Sequence, residues 1–143
     1  MNILYGLGRV TRKATVVDLQ KNVREGWSDI IARLVADLEE LGWNGVVLQV
    51  KEKFGGLRFY ISDGSEAIKK RVHQAEAESY FVCEFCGEPG VLRETAWLKT
   101  LCDSCHTIRQ EARAIEDADA NTAAAEALGR DKEFAEHEHS NSS

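Results

Sequence analysis

Apolar residues recur at helical spacing in two stretches of the first half of the chain. Ser28 is suited to the N-cap of the first stretch, which Gly42 ends. Ser65 is suited to the N-cap of the second, which reaches about Ser79. In each stretch the apolar positions fall on one side of a 3.6-residue period, so the pattern predicts two helices that bury one face.

Between these helices the pattern changes to the alternation of β-strands. Val46 to Lys53 and Leu57 to Ser62 flank Gly55-Gly56, which predicts a hairpin with a two-residue type I′ turn. That turn would pair Lys53 with Arg58, Glu52 with Phe59, Lys51 with Tyr60 and Val50 with Ile61. The apolar side of this hairpin would then carry Leu48, Val50, Phe54, Leu57, Phe59 and Ile61.

The opposite side of the predicted hairpin carries Lys51, Lys53 and Arg58 around Tyr60. Cations beside an aromatic ring are typical of surfaces that contact phosphates or an acidic partner. The same residues also suit a solvated face with cross-strand polar pairs. The alternation of strand side chains places Glu52 on the apolar side, where a carboxylate is more often part of a structural ion pair than a catalytic acid.

Four cysteines form two C-x-x-C pairs, Cys83 with Cys86 and Cys102 with Cys105. Residues 87 to 101 separate the pairs, a spacing that commonly closes two knuckles on a single Zn²⁺. Gly6, Gly8 and Arg9 interrupt the N-terminal residues before an apolar run of signal-peptide length can form. We therefore expect a cytoplasmic protein whose cysteines are reduced rather than joined in disulfides. A redox-active C-x-x-C and an iron–sulfur cluster are the alternatives.

The residues around the two pairs predict different local structures. Gly87 follows the first pair and suits a knuckle that turns its N–H groups toward thiolates. Good helix formers follow the second pair, with Ile108, Ala112 and Ile115 at the spacing of one buried face. Val91 to Arg93 and Ala96 to Leu101 can form a hairpin between them. Knuckle, hairpin and helix together predict a treble-clef-like module.

A four-thiolate zinc site leaves no coordination position for water or substrate, so we expect the ion to be structural. Nuclease treble clefs need histidines in the hairpin for general-base and metal-ligand work, and this hairpin has none. His106, beside Cys105, suits a capping or surface role better than catalysis. No nucleophile with a base at motif spacing and no phosphate-cradling glycine loop occur, so we assign no catalytic residue and expect no small-molecule substrate.

Several short sequence motifs occur in a fixed order between about residue 26 and residue 106. They are Gly26-Trp27, KEKFGGLRFY within Gln49 to Tyr60, C-x-x-C-G, and WLKTLC from Trp97 to Cys102. This chain resembles a family of small bacterial and bacteriophage zinc-binding proteins that share these motifs and have no established family function. The resemblance implies the four zinc ligands and a bacterial or phage origin, with the host cytoplasm as the location if the protein is phage-encoded.

Charge is divided unevenly along the chain. The whole sequence has 18 Lys+Arg and 24 Asp+Glu, a net charge of −6. Residues 114 to 143 combine an alanine-rich helical pattern with an acidic end that includes His137 and His139, and Gly129 is the predicted helix stop. A generic nucleic-acid-binding domain is basic throughout, which this chain is not.

The sequence therefore predicts an α+β fold made of a helix, a β-hairpin, a second helix and an integral four-cysteine zinc module, with a C-terminal helical extension. We expect an N-terminal segment 1–25, a compact core 26–117 with the zinc module at 80–117, and an extension 118–143. A non-enzymatic protein that binds a protein partner, as a regulator or inhibitor of a cellular machine, fits these features. A nucleic-acid-binding module and, more weakly, a nuclease-like enzyme are the alternatives. No stretch of about eighteen apolar residues occurs, so no membrane partner is expected.

Overall fold

The computed structural model describes residues 3–6, 12–94 and 97–141, with side chains up to residue 125. The described part alternates short strands and helices, which confirms the predicted α+β class. The elements in chain order are β1 (Ile3–Tyr5), β2 (Arg12–Ala14), α1 (Val16–Gln20), a 3₁₀ turn (Glu25–Trp27), α2 (Ser28–Glu40), β3 (Val46–Lys53), β4 (Gly56–Ile61), α3 (Glu66–Ser79), β5 (Val91–Glu94), β6 (Leu98–Leu101) and α4 (Asp103–Asn141).

Four strands form one sheet in the order β2-β1-β3-β4. Strand β1 runs antiparallel to β2 and parallel to β3, and β3 pairs antiparallel with β4. Residues before Gly26 thus supply two strands and a capped helix, α1, whose Thr15 and Asp18 form a capping box. Strands β5 and β6 form a separate two-stranded sheet.

Helices α2 and α3 pack on each other, and α3 packs on β4. The core between them and the four-stranded sheet buries Trp27, Trp43 and Phe59 almost completely. The predicted N-cap of α3 is confirmed, since the Ser65 hydroxyl accepts the N–H of Ile68 at 3.3 Å. Ser28 does not act as a cap, because the 3₁₀ turn runs directly into α2 and makes Ser28 the first helical residue.

The turn predicted for the central hairpin is wrong by one residue, which shifts the cross-strand pairing by two residues. The turn is Phe54-Gly55, with φ angles of 54° and 82°, and Lys53 pairs with Gly56. Gly56 instead begins β4, where a Cβ would collide with the Tyr80 ring, so this strand position requires glycine. Phe54 therefore leaves the predicted apolar face and is 62% exposed.

The chain divides into two compact units, Met1–Cys105 and His106–Ser143. Helix α4 continues through Gly129 to Asn141, whereas the sequence predicts that it stops at Gly129. An internal glycine costs a helix only about 1 kcal/mol relative to alanine, and strong helix formers precede it. The predicted burial of Ile108 and Ile115 is also wrong, because each is 63% exposed.

Candidate metal centre

The four cysteines lie at the ends of three elements that meet in one place. Cys83 and Cys86 occupy the turn that follows α3, Cys102 lies between β6 and α4, and Cys105 lies in the first turn of α4. Their Sγ atoms all fall within 4.8 Å of one another, which fits a single metal site. Knuckle, hairpin β5–β6 and helix thus follow in the predicted order.

The spacing of the sulfurs suits tetrahedral coordination. A metal with four bonds of about 2.3 Å to sulfur requires sulfur–sulfur edges of about 3.8 Å. The Sγ atoms of Cys86 and Cys102 are 3.5 Å apart, and the largest separation in the group stays below 4.8 Å. Cys83 is fully buried while Cys86 is exposed, so the site has one side against the core and one side at the surface.

Backbone N–H groups make the first knuckle favourable for thiolates. Gly87 adopts a φ of 81°, and its N–H donates to the Cys83 carbonyl at 3.0 Å, which closes the turn. Burial raises the pKa of Cys83, but N–H groups of Cys102, Cys86 and Phe85 outweigh it and lower that pKa from 9.0 to about 7. Cys83 is therefore ionised more readily than an ordinary cysteine.

The other end of the cluster shows why a cation would be favourable. The thiol of Cys102, together with burial and the remaining thiols, raises the pKa of Cys105 to about 12. Neighbouring thiols share protons and thiolates repel one another, so a bound cation would favour the ionised form of all four. The N–H of Cys105 already donates to the Cys102 sulfur at 3.4 Å, as expected at the start of a helix.

The cysteine cluster is built into the core of its unit. The Gly26 N–H donates to the Glu84 carbonyl at 2.9 Å, and the Trp27 indole donates to the Val82 carbonyl at 2.9 Å. A Cβ on Gly26 would collide with the Cys83 carbonyl oxygen, so only glycine allows this approach. Thr100 lies on β6, and its hydroxyl donates to the Gly55 carbonyl at 2.6 Å, which joins the module to the central hairpin.

A buried carboxylate within the first knuckle was not predicted. Glu84 is fully buried, and its nearest charge is the Lys99 ammonium at 3.2 Å. Glu52 lies 3.8 Å from the same ammonium, which agrees with the structural ion pair that its parity predicts. Burial raises the pKa of Glu84, and the attraction of Lys99 opposes that rise. The position of Glu84 between two ligands gives no periodicity that could have indicated its burial.

The predicted contact residues of the central hairpin lie together on one face. Lys51 pairs directly with Arg58, and the Lys51 ammonium is 5.8 Å from the centre of the Tyr60 ring. The guanidinium of Arg58 donates to the Tyr80 hydroxyl at 3.0 Å. Lys53 is exposed near the turn. Their contact with a partner stays a prediction.

Comparison with known proteins does not extend the chemistry of this site. The chain matches no protein-family model, and neither the curated proteins nor the solved structures give a match. Among the described helices, none combines the length and apolar character needed to cross a membrane.

Proposed function

We propose that this chain is a non-enzymatic binding protein in which one structural Zn²⁺ supports the fold and helix α4 docks on a protein partner. The partner-bound chain would act as a regulator or inhibitor of a larger bacterial machine, in line with the bacterial or phage origin that the sequence resemblance implies. The zinc part of the proposal rests on four clustered thiols, and the partner part rests on an exposed helix.

Zinc is the ion that best suits the cysteine cluster. Four thiolates are soft ligands, and two C-x-x-C knuckles that close into a tetrahedron are typical of structural Zn²⁺. All four coordination positions would belong to the protein, so neither water nor substrate could bind the ion. The ion would therefore neutralise the thiolates and hold the knuckles together without taking part in a reaction.

The observation that carries the partner proposal is the exposure of two large apolar side chains on α4. Ile108 and Ile115 are seven residues apart, each is 63% exposed, and Ala112 lies between them. Side chains at i, i+4 and i+7 share one face of a helix. Such a stripe is the usual anchor when a helix docks in the apolar groove of another protein.

Charges beside the stripe indicate the rim of that groove. Glu111 and Glu116 are exposed and flank the stripe on its two sides, whereas Asp117 lies on the opposite side of the helix. A partner groove bordered by Lys or Arg would pair with the two flanking carboxylates and would bind faster at low salt. We therefore expect an apolar groove with a basic rim.

The test compares two variants that remove similar amounts of exposed apolar surface. I108S/I115S removes the stripe, whereas V17S/L41S removes side chains that are 55% and 44% exposed outside α4. Full-length tagged chains are used to capture proteins from a bacterial lysate, and the captured proteins are identified by mass spectrometry. A protein retained by wild type and V17S/L41S but lost from I108S/I115S supports the proposal. Equal capture by I108S/I115S would remove α4 as the docking element.

A further inference from the structure

The four-stranded sheet has an outer face, defined as the side opposite α2 and α3, that concentrates positive charge. Val50, Leu57 and Phe59 are buried, so their strand neighbours on β3 and β4 point to the outer side. Ile3 is buried on β1, which places Leu4 and its partner Lys13 on the outer side as well. The polar and aromatic side chains of this face are Lys13, Gln49, Lys51, Lys53, Arg58 and Tyr60.

This concentration of charge does not follow from the overall composition. Residues 106–143 hold four of the 18 Lys+Arg and nine of the 24 Asp+Glu, which leaves a nearly neutral 14 and 15 in residues 1–105. The only carboxylate in strands β1 to β4 as described is Glu52. It is turned from the outer face, because it accepts the Gly55 N–H at 2.7 Å and lies near Lys99. No acidic side chain of these strands therefore neutralises the cations of the outer face, although after the Tyr80 hydrogen bond the nearby Glu76 carboxylate of α3 also contributes to the raised pKa of Arg58.

An aromatic ring lies among these cations. Tyr60 is 38% exposed and sits directly opposite Gln49, with the Lys51 ammonium 5.8 Å from its ring centre. Arg58 is held in place by its hydrogen bond to the Tyr80 hydroxyl, which is the first cause of its raised pKa. The Lys53 ammonium lies 5.5 Å from the centre of the Phe54 ring, and this ring is exposed at the turn. Positive groups and ring faces alternate along the hairpin.

We propose that the outer face binds single-stranded nucleic acid. Lys51, Lys53 and Arg58 would contact successive phosphates, since charged side chains on a flat sheet can follow a flexible backbone. Tyr60 would stack on one base, a contact that needs an unpaired base because a duplex hides the faces of its bases. The exposed face of Tyr60 between cations matches the stacking platforms that bind single strands, and an acidic protein is the alternative that the competition experiment tests.

The first arm of the test measures salt dependence with the full-length protein. Fluorescence anisotropy with a labelled 12-nucleotide oligo-dT, and with the matched duplex, is recorded between 50 and 200 mM NaCl. Three phosphate contacts predict a slope of about −2 in log affinity against log salt, which is a loss on the order of 20-fold over this range. K51S/K53S should reduce the slope by about 1.4. K21S/K70S is the matched control, because it removes two exposed lysines that lie on α3 and beside α1.

The second arm tests stacking. Y60L should weaken oligo-dT binding by about tenfold, whereas Y60F keeps the ring and should bind nearly as wild type does. Zinc content and melting temperature show whether each variant is folded. If Y60L and Y60F are both folded, their comparison tests base stacking even when the lysine variant does not fold.

Several results would overturn the proposal. They are absent binding at 50 mM NaCl, tighter binding to the duplex, an equal loss in K21S/K70S, or equal affinity of Y60L and Y60F. Poly-glutamate that displaces the oligonucleotide from wild type and Y60L alike would assign the face to an acidic protein instead.

Discussion

The two units of this chain are ordered by different means. In Met1–Cys105, tryptophans, aliphatic side chains and a buried carboxylate pack around a sheet, and glycines allow backbones to touch. In His106–Ser143, the described part is one helix whose large apolar side chains up to residue 125, Ile108 and Ile115, are exposed. The first unit depends on tertiary contacts, whereas the second depends on helix propensity, which stabilises isolated helices only marginally. The difference places structural stability in the first unit.

The largest effect is expected at the thiolates of the first unit. C102S should lose the metal and unfold the module, because a structural zinc ion contributes on the order of 10 kcal/mol to a small domain. Metal content and thermal unfolding measure both losses. S104A, an exposed change inside the same C-x-x-C, is the control and should behave as wild type. A C102S protein that melts at the wild-type temperature would contradict the coupling of metal and fold.

The ion pair beneath the knuckle should give the next largest effect. K99M leaves the Glu84 carboxylate buried without its cation, and breaking such a pair costs about 3 to 5 kcal/mol. Chemical unfolding at pH 7 measures this loss. The double variant K99M/E84Q removes the charge and should recover most of the stability.

The pH dependence of K99M has a definite sign. Burial raises the pKa of Glu84 above its ordinary value of 4.5, so the folded state holds a proton that the unfolded state releases more easily. The deficit of K99M should therefore shrink as pH falls toward 4.5 and reach its full size above the raised pKa. A deficit that is independent of pH would show that lost packing, rather than the unpaired charge of Glu84, destabilises K99M.

Several features that depend on the spacing of nearby residues were predicted correctly from the sequence. The two C-x-x-C pairs, the Ser65 cap and the alternation of Val50 with its neighbours all act over a few residues, and each appears in the structure. The errors in the hairpin turn and the N-terminal strands involve contacts between distant residues, whereas the Ser28 cap and the Gly129 stop were local predictions that failed. Tyr80 occupies the space that a Cβ on Gly56 would need, a long-range contact that the Gly-Gly pair does not reveal. Pairing of the three-residue β1 with β3 likewise depends on a distant strand, so the N-terminal strands were not expected.

The turn itself offers a smaller test of the same unit. Phe54 has a φ of 54°, a left-handed conformation that costs most side chains about 1 kcal/mol and that asparagine tolerates better. F54N should therefore raise the free energy of unfolding by about 1 kcal/mol, as measured by urea denaturation. F54L keeps the unfavourable conformation and should show no such gain. Destabilisation by F54N would favour the turn at Gly55-Gly56 instead.

The smallest effect on stability is expected in the second unit. Deletion of Ala118 to Ser143 removes helix whose described side chains are exposed, so the melting temperature of the remainder should change by no more than about 1 °C. Zinc content should stay the same. A large fall in melting temperature would show that the extension supports the first unit and would remove the contrast between the two.

The most direct test of the central claim is zinc K-edge X-ray absorption on the full-length protein purified with its metal. We expect one zinc ion per chain surrounded by four sulfur atoms at about 2.3 Å, with no nitrogen or oxygen ligand. An ion with fewer than four sulfurs, or with a bound water, would leave an open coordination position and would contradict a closed structural site.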